Sequence, residues 1–240
     1  MFRGPLLELL GLIISGNVTT PKIIGVVLSF FSVLVIIFVV FPVRECARGF
    51  VAKKLGDDTP ELAGRLTLNP FAHIDPMGAL AMFLLRIGWS KHMPVDIRRC
   101  RKVKPRTAVV LTSLAGPLAN ILLSYIIMII FKLLVVMSAT AADNPAVSYI
   151  ALGLSYTLEI NVFLAVFNLI PIPPFDGFNV LAGFLPAKTV YFMERNQQII
   201  YWIFFALLMF GFLDIPLGAV CNGIIWLLDK ASFFIPVWYF

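Results

Sequence analysis

Hydrophobic positions fill long unbroken stretches of the chain, and polar positions gather in a few places between them. Ile23 to Val43 holds mostly Val, Ile, Leu and Phe with no charged residue. A bilayer core needs about 20 apolar residues per helix, so this stretch predicts a membrane span. RECAR follows at 44–48, and the helix is expected to continue through Phe50 and Val51 to Gly56, a residue suited to a left-handed cap. The charges of RECAR therefore lie on a helix. Upstream, Pro5 to Ser15 is apolar but short, has only Arg3 before it and lacks a small-residue cleavage site. It reads as an interfacial or buried helix rather than a signal peptide.

From Asp57 to Arg106, turn-forming residues (Asp57, Asp58, Pro60, Asn69, Pro70, Asp75, Pro76) alternate with short apolar pieces. Met77 to Trp89 is too short for an upright span and predicts a re-entrant or interfacial segment. Arg65 to Asn69 and Met93 to Ile97 are candidate short strands. Irregular backbone at membrane depth needs shelter from protein or a watery cavity, so a cavity is expected here. Thr107 to Met137 and Ala146 to Ile170 predict two further spans, the first kinked at Gly116-Pro117, with a polar outer loop between them. The second ends at the proline run PIPP. FDGF then opens a helix expected through Leu185, and Ile199 to Leu228, broken at Asp214 and Pro216, predicts one span and a shorter membrane helix. The pattern as a whole predicts an all-α polytopic membrane protein with a small membrane-associated β element. One membrane domain over residues 1–240 is the simplest division, with C-terminal membrane helices in 198–240.

Composition agrees: 60% of the residues are hydrophobic and 13% charged, and the mean hydropathy is +0.94, so lipid is the main solvent of this chain. The net charge of +6 admits nucleic acid as a partner until its distribution is considered. Thirteen of the 19 Lys and Arg residues fall between Arg44 and Arg106, and Ser138 to Ala146 contains none. That asymmetry is the positive-inside pattern and places the 44–106 region on the cytoplasmic side of a bacterial-type plasma membrane. The basic run Arg98 to Arg106 has no interleaved aromatic residues, so nucleic-acid binding is not expected. Cys46, Cys100 and Cys221 are odd in number and widely spaced, which offers neither a disulfide framework nor a C-x-x-C metal knuckle.

Four motifs occur in order: RECARGFVAKKLGD, GRLTLNPFAHIDPMG, LAGPLAN and FNLIPIPPFDG. Together they resemble the site-2 protease family of intramembrane metalloproteases, over roughly Pro42 to Pro186, which implies a family-like core at about 23–186. In that family the first motif is H-E-x-x-H, two zinc-binding histidines with a glutamate as general base, and an aspartate in a D-G motif is the third ligand. The resemblance thus assigns Glu45 to the base position and Asp176 to the third-ligand position, and puts Arg44 and Arg48 where the histidines would stand. It also associates Asn120 with the active site as a substrate or oxyanion contact.

Arginine cannot substitute for histidine as a ligand. Its guanidinium stays protonated, offers five donors and no lone pair, and repels a divalent ion. Charge is nevertheless conserved, since Arg44 and Arg48 at +2 balance Glu45 and Asp176 at −2. The i, i+4 spacing puts the two arginines on one helix face, and an arginine cluster in place of the metal is the expectation. Plainer readings stand beside it. Glu45 and Arg48 at i, i+3 could form a helix-surface ion pair, Asp176 could cap the next helix, and Asn120 could hydrogen-bond between helices. His73 and Asp75 suit structural hydrogen bonds, His92 reads as a loop residue and Cys46 as a packing residue. His73 and Cys46 are also the substitute ligands on which a zinc site would have to draw.

The leading expectation is a proteolytically silent member of the family that binds membrane-protein clients or an active relative, surrounded by membrane lipids and with no cofactor. The alternative is an active zinc protease cleaving transmembrane segments. A small transporter or lipid-binding protein is a third class, suggested by the intramembrane charges.

Overall fold

The computed structural model describes residues 4–16, 18–140 and 145–235, with the side chains of 137–140 left out. Its regular elements among the described residues are helices. The N-terminal helix α1 (Pro5–Ser15) ends at Gly16 and packs on α2 (Thr20–Val35) and on α5 (Pro76–Leu85). A π-helical stretch, Ile36–Val40, joins α2 to α3 (Phe41–Leu55), so that Thr20–Leu55 is one continuous apolar span. Pro42 accounts for the π turn. A proline ring clashes with the carbonyl one α-turn earlier and lacks an N–H, and a widened turn relieves that crowding. The extra residue in the turn also rotates everything after it by roughly 100°, which helps bring Arg44 and Glu45 to the buried side. The span stops at Gly56, whose φ of 108° is the left-handed cap its sequence position suggested.

Between α3 and the next long helix lie α4 (Thr59–Leu62), the short apolar helix α5 and two short 3-10 turns. Asp75 caps α5, its carboxylate accepting from the Met77 and Gly78 amides at 2.9 Å each. The two expected strands do not form among the described residues, and the β element reduces to an antiparallel bridge between Ile74 and Ser90. Local partners have taken the groups a ladder would use. The amides of Arg65 and Leu66 bond back to the Pro60 carbonyl, and the amides of Met93 and Asp96 donate to the carboxylates of Glu45 and Asp57.

The second and third spans are α6 (Pro105–Thr140), continuous through Pro117, and α7 (Pro145–Asn168); residues 141–144 of the expected outer loop lie outside the described residues. The two helices share the most extensive contact in the fold, α6 also packs on α3, and Ile160 to Val166 of α7 is wholly buried. After the proline run come α8 (Asp176–Ala182), α9 (Ala187–Arg195), α10 (Gln197–Met209) and α11 (Asp214–Ala231). The last two meet at 83° and form either a broken span or a re-entrant pair. The break lies at 210–213, ahead of Asp214, and Pro216 falls in the first turn of α11, where helix amides are unpaired in any case. A buried ion pair ties this C-terminal part to α6: Lys132 Nζ lies 2.8 Å from Asp229, and Lys132 is 4% exposed.

Candidate functional site

Three helical segments meet at one point: the middle of α3, the end of α7 and the start of α8. α3 supplies Arg44 and Arg48, one turn apart on the same face. α7 supplies Asn168, and the proline run carries the chain back so that Asp176 opens α8 beside them. Arg44 Nη2 donates to Asp176 Oδ2 at 3.0 Å and to Asn168 Oδ1 at 2.8 Å. Arg48 Nη2 donates to Asp176 Oδ1 at 2.6 Å. Each oxygen of the Asp176 carboxylate is therefore held by a different guanidinium, and Arg44 and Asp176 are each 5% exposed.

Glu45 is 1% exposed and faces the other way, toward the chain around Trp89. Ser90 Oγ donates to Oε1 at 2.7 Å, the Met93 amide donates to Oε2 at 2.8 Å, and Arg44 Nη1 lies 3.6 Å from Oε1. The surface pair between Glu45 and Arg48 does not form, because Arg48 is engaged by Asp176. Nor does the Asp176 side chain cap its helix: Phe175 is the N-cap and no side-chain capping bond is made. Two pairs of opposite charge thus neutralise one another inside the fold. Such pairs need further hydrogen bonds to offset desolvation, and Ser90, Met93 and Asn168 provide them. None of these three was singled out by sequence reasoning. Asn168 was the most accessible, standing inside FNLIPIPPFDG; Ser90 and the Met93 amide left no signal.

The LAGPLAN motif contributes space. A Cβ at Gly116 would lie 3.2 Å from both Cγ and Nε of Arg44, so the glycine lets α6 approach the arginine stem. Asn120, one turn further, is 1% exposed, and neither of its side-chain polar atoms has a partner among the described residues; its main-chain carbonyl accepts from Asn161 Nδ2 at 2.9 Å. His73 Nε2 and Cys46 Sγ both meet the Thr67 carbonyl, at 2.7 and 2.8 Å, which ties the NPFAH turn to α3.

A cavity of about 340 Å³ opens against Arg44 and Asp176. Its walls are largely apolar and aromatic, with Trp89, Phe167, Phe175, Tyr201 and Phe204 among them, and Asn168 and His92 at the polar end. The cavity expected from the irregular 57–106 region is present, and His92, read as a plain loop residue, lies on its wall. Loss of hydration on that wall lowers the affinity of the His92 imidazole for a proton; Arg48 and Arg44 act in the same sense and Glu45 and Asp176 against it.

Comparison with known proteins matches Peptidase family M50 over residues 18–211. The chain belongs to the site-2 protease family. Among curated site-2 protease relatives, "Putative zinc metalloprotease YwhC" of Bacillus subtilis is 36% identical over 195 residues, 80% of this chain and 84% of that protein. "Putative zinc metalloprotease Rip2" of Mycolicibacterium smegmatis is 28% identical over 61% of this chain and 54% of its own length. The Methanocaldococcus jannaschii protein "Putative zinc metalloprotease MJ0611" is 42% identical over 72 residues, 29% of this chain and 31% of its own. No solved structure gives a significant match.

The names of these relatives imply zinc, and the donors here can be tested against it. No group of three or more His, Cys, Asp or Glu side chains among the described residues is arranged to hold a metal ion. Asp176 has both oxygens in contact with guanidinium groups, Glu45 has both oxygens engaged, and the two positions next to Glu45 on the helix face carry permanent cations. His73 and Cys46 are both turned to the same carbonyl. This donor set does not fit zinc.

Proposed function

We propose that this chain is a proteolytically silent member of the site-2 protease family, which keeps the membrane fold and the cleft and acts by binding membrane-protein clients or an active relative. The observation that carries this reading is the clamp on Asp176 by Arg44 and Arg48. A metalloprotease relies on a cation that lowers the pKa of bound water toward neutrality. Two guanidiniums take up the negative charge without offering an open coordination position, and Glu45 is left with no activated water on which to act as base. The aromatic cavity beside the clamp supports a retained binding role, since it is lined to take an apolar segment. The clustering of positive charge between Arg44 and Arg106 supports a cytoplasmic position for that region, and the whole chain is read as one membrane unit.

Converting Arg44→His and Arg48→His together tests the proposal. The double variant is expected to bind zinc in a one-to-one ratio and to cleave a model transmembrane helix in a chelator-sensitive way, while the parent does neither. Before zinc is added, the variant is expected to be less stable than the parent, because Asp176 and Glu45 lose their counter-charges. Metal analysis of the purified parent is the decisive control: stoichiometric zinc there, or cleavage by the parent, would overturn the proposal.

A further inference from the structure

Far along α7 from the arginine site, a carboxylate stands within a membrane span without a hydrogen-bond or ion-pair partner among the described residues. Glu159 is the one charged residue of the Pro145–Asn168 span. At 1.5 Å per residue it lies roughly 21 Å from the Pro145 end and about 13 Å from the Asn168 end, well inside the span. It is exposed, although the buried run Ile160 to Val166 begins at the next residue. Among the described residues, no hydrogen bond or ion pair reaches its carboxylate.

Among the described residues, the cation close enough to act on Glu159 is Arg86, and Arg86 is already committed. It closes α5 in the left-handed conformation, with φ 56°. Its Nη2 donates to Ser29 Oγ at 2.8 Å and pairs with Glu8 at 3.1 Å, and its guanidinium lies 5.9 Å from the centre of the Tyr156 ring. Among the described residues, two carboxylates, Glu8 and Glu159, therefore stand near one arginine. Lys22 borders the groove that Glu8 and Arg86 also line, but it precedes Ser29 by seven residues on α2, about 10 Å nearer the start of the span.

Ionisable side chains at this depth are costly and mark functional positions. The missing positive charge cannot come from a lipid amine, which stays at headgroup level. A cation supplied from outside the described residues at this depth is best carried by a spanning element, and helices are the elements that cross with their backbone satisfied. On the same side of α7, Ser155 lies four residues before Glu159 and the exposed Leu152 seven before it. Together they form a face suited to close helix packing beside the charge.

We propose that this face of α7 docks a transmembrane helix of a partner protein that presents a lysine or arginine to Glu159. The docking is independent of the arginine site, so it holds whether or not the chain cleaves anything.

The test places the intact protein in lipid vesicles with labelled single-span peptides of leucine and alanine carrying one central Lys, Asp or Leu, and reads association by energy transfer. The Lys peptide is expected to associate roughly five- to tenfold more tightly than the Leu peptide, the range of one interhelical polar contact in a membrane. Glu159→Gln should remove that preference, and Glu159→Lys should transfer it to the Asp peptide. A Lys moved two turns toward the peptide end should lose most of the gain. The variant carrying Arg44→His and Arg48→His should keep the preference for Lys, which separates this outcome from that of the silent-protease proposal. Equal binding of the Lys and Leu peptides would overturn the inference, as would a Lys preference that survives Glu159→Gln.

Discussion

Asp176→Ala is expected to destabilise the protein by about 3–5 kcal/mol, the cost of removing one partner from a buried charge pair. The effect falls at the upper part of that range because one carboxylate serves two guanidiniums, at 3.0 and 2.6 Å. Its loss changes the local balance from +2 against −2 to +2 against −1 in a space where Arg44 is 5% exposed. Asn168 can still accept from Arg44, but nothing among the described residues replaces the contact to Arg48. Thermal or denaturant unfolding in mild detergent reads the change. Replacing Arg44 by Met and Asp176 by Leu in the same chain is expected to cost much less than the two single changes combined, because Arg48 and Glu45 remain and no excess charge is left buried. A loss under about 1 kcal/mol for Asp176→Ala would mean that water screens the cluster as it does a surface pair, and the account of a dry, paired site would then fail.

The second large effect is expected at Gly177. A Cβ built there would penetrate the Leu169 carbonyl and lie 2.6 Å from the Ile170 carbonyl oxygen. Both obstacles are main chain at the end of α7, so no side-chain rotation can clear them. Gly177→Ala must therefore push α8 away from α7, and Asp176, the residue before it, moves with the helix. The expected cost is about 3 kcal/mol or more, above the usual range for an extra methyl group in a packed core. It should come with loss of the Asp176 contacts. If those contacts contribute most of the cost, Asp176→Ala and Gly177→Ala combined should fall well short of the sum of the single changes. Full additivity would show that the close approach of α8 matters for packing alone.

Much of the fold was legible from the chain. Three of the four expected spans are single long helices, because a segment in hydrocarbon has to satisfy its own backbone and helix is the local way to do so; the fourth, expected in 199–228 beside a shorter helix, is instead the pair α10 and α11 bent by 83°. Gly56 marked the end of the first span, since capping depends on residues a few positions apart; Asp75, read as a turn and hydrogen-bonding residue, turned out to be the cap of α5. The arginine cluster was legible for a related reason. The i, i+4 spacing of Arg44 and Arg48 and the charge balance with Glu45 and Asp176 are properties of residue order, given that the motifs bring α8 to α3. The expected strands at 65–69 and 93–97 failed where reasoning along the chain cannot reach. Their amides have non-neighbouring competitors, such as the Glu45 carboxylate 48 residues before Met93.

Residue order by itself determined the helical spans, the membrane class and the two permanent cations, Arg44 and Arg48, one turn apart on a helix. Only the tertiary structure decided that the Glu45 oxygens turn to Ser90 and Met93 while Arg48 crosses to Asp176, that His92 borders the cavity, and that Glu159 is exposed with no ion pair among the described residues while Arg86 bonds Ser29 and Glu8. The reason is range. Spans and caps are set by hydrogen bonds within a few residues, whereas the partner of a buried charge is whichever group the packing of distant helices places within about 3 Å.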